Sequence, residues 1–172
     1  MKNIKTIHLI RHAKSSWDDP TLADRDRPLN PRGICTSRMM ARPVHDAGCH
    51  FEQVFCSPAV RAQSTIELIH QSLPEIKFRW KTEKALYTFE SDDVLRWCRK
   101  LDDEMSDIVI VGHNPALTDF CHQLSGVDLN NIPTCGYVKL VSVSPCQWKK
   151  INKKTFDLAV FLKPKRLMRT AD

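Results

Sequence analysis

Residues 107–115 read DIVIVGHNP, and this stretch decides the fold. Its first part, Asp107–Val111, is almost continuously apolar and β-branched, which is typical of a strand covered on both faces of a sheet. Asn114-Pro115 then has the cap and first-turn chemistry of a helix, which we expect to continue to about Ser125. A buried strand that passes directly into a helix indicates a layered α/β protein.

The same alternation of strand and helix continues on both sides of this stretch. The other predicted strands are Lys5–Ile10, Glu52–Cys56, Ile76–Trp80, Tyr137–Val143 and Asp157–Leu162. The other predicted helices run from Asn30-Pro31 to about Ala47, from Ser57-Pro58 to about Ser72, and over Asp92–Leu101 with Ser91 as cap. This order predicts a three-layer α/β/α sandwich with a mainly parallel central sheet, forming one domain over residues 1–172.

Composition limits the classes of function. The chain has 42% hydrophobic and 27% charged residues, as expected of an ordered globular protein, and its net charge of +6 suits phosphorylated partners. The basic residues are scattered, so we expect no nucleic-acid binding. One dense cluster is interpreted as a solvated turn between the last two strands, which should form a hairpin; its members are Lys149, Lys150, Lys153 and Lys154.

Localisation is predicted from what the sequence lacks. No apolar run is long enough for a signal peptide or a membrane span, so we expect no membrane association. The seven cysteines include no C-x-x-C pair, which favours a reduced, cytoplasmic protein whose cysteines are core residues.

Charged residues follow three of the predicted strands. Arg11-His12 ends the first strand, Ser57–Arg61 follows the second, and Gly112–Pro115 follows the DIVIV strand. The carboxyl ends of parallel strands meet at one edge of a sheet, so these segments should converge. Two arginines, two histidines and two helix N-termini would then form a binding site for an anion such as phosphate.

Each motif also has an ordinary structural interpretation when it is taken alone. Arg11-His12 is compatible with a structural strand end, and Gly112–Pro115 with a simple helix entry. Arg61 is compatible with a solvated helix face. The combination is more specific, because the fold independently brings the three segments to the same edge.

With these motifs in place, the chain resembles the histidine phosphatase superfamily, which has the phosphoglycerate mutase-like fold. The resemblance is to the small SixA-type phosphohistidine phosphatases, and it extends over nearly the whole chain. The motifs that carry it, in order, are LIRHAKSSWDD, LADRDRPLNPRG, VFCSPAVRAQST, ALY, VIVGHNPAL, LSG, IPT and FLKPKRL.

The resemblance implies a role for each matching residue. His12 matches the nucleophile, and Arg11 and Arg61 match the two arginines that bind phosphate. His113 matches the second histidine, which binds phosphate in its charged form. Ser15 occupies the place of a small polar residue that touches the phosphate.

The implied reaction is phosphoryl transfer to His12, followed by hydrolysis of the phosphohistidine intermediate by water. Lys14 is expected at the rim of the pocket. No carboxylate cluster suits Mg²⁺, so we expect neither a metal nor another cofactor.

One feature departs from the larger relatives, which use an acidic residue from an insertion to protonate an alkoxide leaving group. The segment of residues 83–90 is short and contains no insertion. The general acid is therefore left open: it is Glu83, Glu90 or no residue at all. An imidazole leaves more readily than an alkoxide, so this departure favours phosphohistidine on a protein as substrate. The alternatives are a phosphatase of a small phosphorylated metabolite and a non-catalytic phosphoprotein-binding module.

Overall fold

The computed structural model describes residues 3–169. Its strands are β1 (Thr6–Arg11), β2 (Val54–Cys56), β3 (Trp80–Thr82), β4 (Asp107–Gly112), β5 (Tyr137–Ser142) and β6 (Phe156–Leu162). Its α-helices are α1 (Pro31–Asp46), α2 (Val60–Gln71), α3 (Ser91–Cys98), α4 (Ala116–Ser125) and α5 (Pro164–Arg169). Three short 3₁₀ helices cover Asp24–Asp26, Lys84–Leu86 and Trp148–Lys150.

The six strands form one sheet in the order β3-β2-β4-β1-β5-β6. β4 lies at its centre and pairs in parallel with β1 and β2, and β2 pairs in parallel with β3. β5 is antiparallel to both of its neighbours, β1 and β6. The prediction of a mainly parallel central sheet is therefore confirmed.

Strand β4 shows why the sheet is covered on both faces. Its side chains alternate: Ile108 and Ile110 pack in a core with residues of α3 and α4, whereas Val109 and Val111 pack in a second core with residues of α1 and α2. All four are fully buried. Burying each such side chain contributes about 1.5–3 kcal/mol, so the apolar strand fixes the three-layer arrangement.

The start of α1 follows the predicted cap chemistry. Asn30 is the N-cap, its side chain accepts a hydrogen bond of 2.8 Å from the amide of Gly33, and Pro31 occupies the first turn. Gly33 also allows a close approach, because a Cβ there would lie 2.2 Å from the carbonyl oxygen of Lys14. The loop after β1 is therefore packed directly on the start of α1.

The predicted start of α2 was wrong. The helix begins at Val60 with Ala59 as its N-cap, so Ser57 does not cap it in the expected way. The Ser57 hydroxyl instead accepts from the amide of Ala59 at 3.2 Å and contacts His113, which holds the chain in a turn before the helix.

The predicted edge strand at residues 76–80 was also displaced. Ile76 and Phe78 do face the core, and Phe78 stacks on Phe51 with ring centroids 4.4 Å apart. The backbone pairing with β2, however, begins only at Trp80, opposite Val54. Alternation therefore predicted burial correctly but placed the strand too early.

The predicted hairpin of β5 and β6 is present. Because β5 runs antiparallel to β1, its connection to β6 lies at the sheet edge opposite the end of β1. The lysine cluster in this connection is exposed, as expected for a solvated turn; its members are Lys149, Lys150, Lys153 and Lys154.

All seven cysteines are free thiols, and five of them are buried. Within residues 3–169, no helix combines the length and the apolar content that crossing a membrane requires.

Candidate active site

The ends of three parallel strands lie side by side at one edge of the sheet. The amide of His12, directly after β1, donates to the carbonyl of Gly112 at 3.1 Å. The amide of Ser57, directly after β2, donates to the carbonyl of Val111 at 3.0 Å. Backbone pairing thus extends past the strands and sets the positions of the segments that follow them.

The histidine after β1 is held in a single tautomer. Nδ1 of His12 lies 2.8 Å from the carbonyl oxygen of Ala13, which can only accept, so this nitrogen carries the proton. Nε2 accepts from Nε of Arg61 at 3.3 Å, and an arginine can only donate. The lone pair of His12 is therefore on Nε2, as a nitrogen nucleophile requires.

The environment of His12 also keeps it neutral. Burial lowers its pKa most, and the positive charges of Arg61, Arg11 and Arg27 lower it further. The hydrogen bond to Ala13 opposes these effects, and the resulting pKa is about 4. Near pH 7 Nε2 of His12 is therefore free of a proton.

A second histidine lies against the first, with ring centroids 5.1 Å apart. Nδ1 of His113 accepts from Nη2 of Arg61 at 3.3 Å, so Nε2 carries the proton and donates to the Ser57 hydroxyl at 2.7 Å. Burial, then His12 and Arg61, lower the pKa of His113 to about 3. His113 is thus neutral near pH 7, and the charged form that the family resemblance implies would require the negative charge of a phosphoryl group beside it.

Arg61 is the centre of the cluster. It is the second residue of α2, and only 2% of its surface is exposed. Besides its contacts with His12 and His113, it donates through Nη1 to the Asp24 carbonyl at 2.6 Å and through Nη2 to the Asp24 carboxylate at 2.9 Å. Its guanidinium plane therefore fixes both histidines relative to Asp24.

Asp24 is a site residue that sequence reasoning missed. Its carboxylate also accepts from the Tyr87 hydroxyl at 2.6 Å and from Arg27 at 3.1 Å. Burial alone would raise the pKa of Asp24, but the hydrogen bonds from Tyr87, Arg61 and Arg27 and the charge of Arg61 lower it to about 2. Asp24 is therefore an ionised acceptor near neutrality.

Arg27 is a third arginine that the sequence did not single out. It is 7% exposed, and its Nη1 donates to the Ser15 hydroxyl at 2.9 Å. Its guanidinium lies 3.6 Å from the ring centroid of Trp17, which is 75% exposed. Ser15 thus lies in the site, as expected, and it helps to place an additional cation there.

The side chain of Arg11 is held by a hydrogen bond to a segment outside the three strands. Its Nη1 donates to the carbonyl of Ile132 at 2.9 Å, and the same carbonyl accepts from Asn114 Nδ2 at 2.8 Å. The Asn114 Oδ1 in turn accepts from the amide of Thr118 in the first turn of α4. The Asn of the GHNP motif therefore supports Arg11, which the sequence did not reveal.

Most of these side chains line a cavity of about 350 Å³, whereas His113, which is 1% exposed, contacts the lining residues His12 and Arg61 without lining the cavity itself. Its described lining comprises Arg11, His12, Lys14, Ser15, Trp17, Asp24, Arg27, Arg61, Phe89, Asn114 and Thr134. Lys14 thus lies at the cavity as expected, and the ring of Phe89 contacts that of His113. Glu83 and Glu90, the candidates for a general acid, do not line it; among the described residues Asp24 is the carboxylate that does.

The arrangement combines a neutral imidazole that has an accessible lone pair with three buried or half-buried arginines, which is suited to a phosphoryl group. Residues 3–169 contain no cluster of three or more histidine, cysteine or acidic side chains that could hold a metal ion.

Comparison with known proteins assigns the family. Residues 7–87 match the histidine phosphatase superfamily (branch 1). An uncharacterized Mycobacterium leprae protein is 30% identical over 168 residues, covering 91% of this chain and 100% of the relative. The chain therefore belongs to the histidine phosphatase superfamily, and phosphatase is its general class.

Solved structures give the same fold. A SixA protein of Nakamurella multipartitia superposes with a TM-score of 0.79 at 20% identity, covering 94% of this chain and 97% of that one. The protein histidine phosphatase SixA complexed with tungstate gives 0.77 at 19% identity, covering 94% and 99%. A Bacillus anthracis phosphoglycerate mutase gives 0.73 at 14% identity, covering 99% and 98%. The prediction of a phosphoglycerate mutase-like fold is confirmed.

Proposed function

We propose that this protein hydrolyses phosphohistidine on a protein substrate through a phospho-His12 intermediate, without a metal or cofactor. The main observation that supports this proposal is the position of His12. Its unprotonated Nε2 lies 3.3 Å from Arg61 Nε, in a cavity that is lined by three arginines. In this proposal Arg11, Arg61, Ser15 and His113 bind the phosphoryl group.

Among the described residues that line the cavity, no carboxylic acid is available to protonate a leaving group, which supports phosphohistidine as the substrate class. Of the described lining residues, Asp24 is the carboxylate, and three hydrogen-bond donors together with the Arg61 charge keep it ionised. An alkoxide leaving group needs protonation, which is worth about 10²–10⁴ in rate. An imidazole whose second nitrogen carries a proton leaves as a neutral ring and needs no such help.

The reaction balances without a proton from the enzyme. The P–N bond to the substrate imidazole breaks as a P–N bond to His12 Nε2 forms, and the proton on Nδ1 stays hydrogen-bonded to Ala13. That bond stabilises the positive charge of the phosphorylated ring. Water then attacks phosphorus, its protons pass to phosphate and solvent, and His12 is released neutral.

The similarity to SixA structures supports this choice, since one of them, a protein histidine phosphatase, binds tungstate, an oxyanion. The openness of the site supports it too. Residues 83–90 connect β3 directly to α3, so no inserted segment covers the cavity and a protein side chain has access.

The test is a comparison of kcat/KM for three probes: a phosphohistidine peptide, a phosphoserine peptide of the same sequence, and p-nitrophenyl phosphate. We expect the phosphohistidine peptide to exceed the phosphoserine peptide by about a hundredfold or more. His12→Ala should abolish turnover but retain binding of inorganic phosphate, and alkaline quenching of the native protein should trap phosphate on His12.

Each contrary result has a distinct meaning. Equal rates for the two peptides, or faster hydrolysis of small sugar phosphates, would instead support a metabolite phosphatase. Phosphopeptide binding without turnover of any probe would support a binding module. Retention of activity in His12→Ala would remove the proposed intermediate.

A further inference from the structure

A second cavity, of about 160 Å³, adjoins the candidate active site. Lys14 and Thr134 line both cavities, so the two share a wall. We call the second one the basic groove; its cationic side chains are Lys14, Arg32, Lys163 and Lys165, and its apolar side chains include Pro133 and Met168.

The fold brings these cations to the active-site edge from three separate segments. Lys14 follows the nucleophile, and Arg32 lies beside it because Gly33 packs against the Lys14 backbone. Strand β6 ends at Leu162, opposite Tyr137, which also pairs with Ile10 of β1. Lys163 and Lys165, on either side of the first residue of α5, therefore lie at the same edge as the end of β1.

The charges of the groove are not neutralised within the described chain. None of its four cations forms an ion pair or a side-chain hydrogen bond with residues 3–169; Lys163 lies 4.9 Å from the ring centroid of Phe161. In contrast, the arginines at positions 27 and 61 are paired with Asp24. Clustered like charges repel one another, so a bound anion would stabilise the groove.

We propose that the basic groove binds an acidic segment of the protein substrate, next to the phosphorylated residue. This inference rests on the proposed function, since a chain with its phosphohistidine at His12 would pass the shared wall formed by Lys14 and Thr134. The apolar side chains of Pro133 and Met168, the latter 40% exposed, offer a polypeptide apolar contact, and its carboxylates would pair with the lysines and arginine of the same lining.

The test uses two phosphohistidine peptides, one with aspartate and glutamate flanks and one with asparagine and glutamine in the same places. The groove variant is Arg32→Gln/Lys163→Gln/Lys165→Gln; Lys14 is left intact because it lines the catalytic cavity. The matched control removes the same charge from the opposite edge of the sheet: Lys149→Gln/Lys150→Gln/Lys153→Gln. Hydrolysis of p-nitrophenyl phosphate measures the catalytic step alone, because this substrate has no flanking peptide segment.

At low ionic strength, the native protein should prefer the acidic peptide in kcat/KM by about tenfold, as expected for several exposed ion pairs. The groove variant should lose this preference, the lysine control should keep it, and added salt should reduce it. Turnover of p-nitrophenyl phosphate should stay within about twofold in all three proteins. A preference that survives in the groove variant, or falls equally in the control, overturns the proposal.

Failure of the proposed function gives a different result, in which p-nitrophenyl phosphate is hydrolysed but neither peptide is. In that case, binding of an acidic segment in the basic groove is tested by using the unphosphorylated acidic peptide as an inhibitor. Inhibition of p-nitrophenyl phosphate turnover in the native protein and the control, but not in the groove variant, supports the groove. No inhibition in any of the three overturns it.

Discussion

Replacing Arg61 by lysine is the sharpest test of the candidate site, because it keeps the charge and removes the geometry. Separate nitrogens of the guanidinium contact His12, at 3.3 Å, and the carbonyl and carboxylate of Asp24, at 2.6 and 2.9 Å. A lysine ammonium is a single point and cannot make these contacts together with a bidentate bond to phosphate. We expect one charge-assisted bond to the transition state to be lost.

The magnitude follows from that loss. Such a bond is worth about 1.5–3 kcal/mol, and the loosened nucleophile adds to the cost, so kcat/KM should fall by about 10²–10³. Stability should change little, because the positive charge still faces Asp24. A loss of about 1 kcal/mol would lower the Tm by roughly 2–4 °C.

The assay is steady-state hydrolysis of p-nitrophenyl phosphate alongside thermal unfolding of the same samples. Arg96→Lys is the matched control, since Arg96 is an exposed arginine of α3 that is paired with Asp93 at 2.7 Å and does not line the cavity. Native-like kinetics in Arg61→Lys would refute the bidentate binding of the phosphoryl group by Arg61. A large fall in Tm with activity lost only in proportion to unfolding would show that Arg61 is structural.

Four further results are expected. Lowering the pH should reduce kcat/KM with an apparent pKa of about 4, because protonation removes the His12 lone pair. The free energy of unfolding should already fall as the pH is lowered from about 6.5 to about 4, since an unfolded histidine takes up its proton near pH 6.5 whereas folded His12 does so near 4; a pH-independent stability between 7 and 4.5 would contradict this. Gly33→Ala should cost about a hundredfold in kcat, because its Cβ would lie 2.2 Å from the Lys14 carbonyl and displace the loop after β1; Gly112→Ala, with 3.6 Å to its nearest neighbour, is the control. Dialysis against EDTA should leave turnover unchanged, and recovery only on adding Mg²⁺ or Zn²⁺ would contradict the metal-free mechanism.

The parts of the fold that were predictable are those in which local chemistry and burial agree. Asp107–Val111 is buried on both faces, so its composition alone identified the central strand. Asn30-Pro31 both caps and starts α1, so its position was correct. At Ser57 the same signal failed, because its hydroxyl is engaged by His113, which lies 56 residues away in the chain.

The candidate site likewise contains residues that the sequence predicted and residues that it did not. His12, Arg61 and His113 follow strands or begin a helix, so the parallel sheet expected from the sequence predicted their convergence. Asp24 and Tyr87 come from segments with short 3₁₀ helices and carry no periodic signal. Their hydrogen bond joins residues 63 apart, and only the folded chain reveals it.

The hydrogen bonds among Arg61, His12 and His113 also indicate how a bound phosphoryl group would make His12 available for attack. Arg61 donates to both His12 and His113, so the lone pair of His12 Nε2 accepts a hydrogen bond. Both bonds are 3.3 Å long, which is beyond the usual range for N–H donors, so they are weak. A phosphoryl oxygen carries more negative charge than a neutral imidazole nitrogen and is the better acceptor. We infer that an incoming phosphoryl group takes the Arg61 donors for itself, and that the same exchange frees His12 Nε2 for attack beside the group that it will attack.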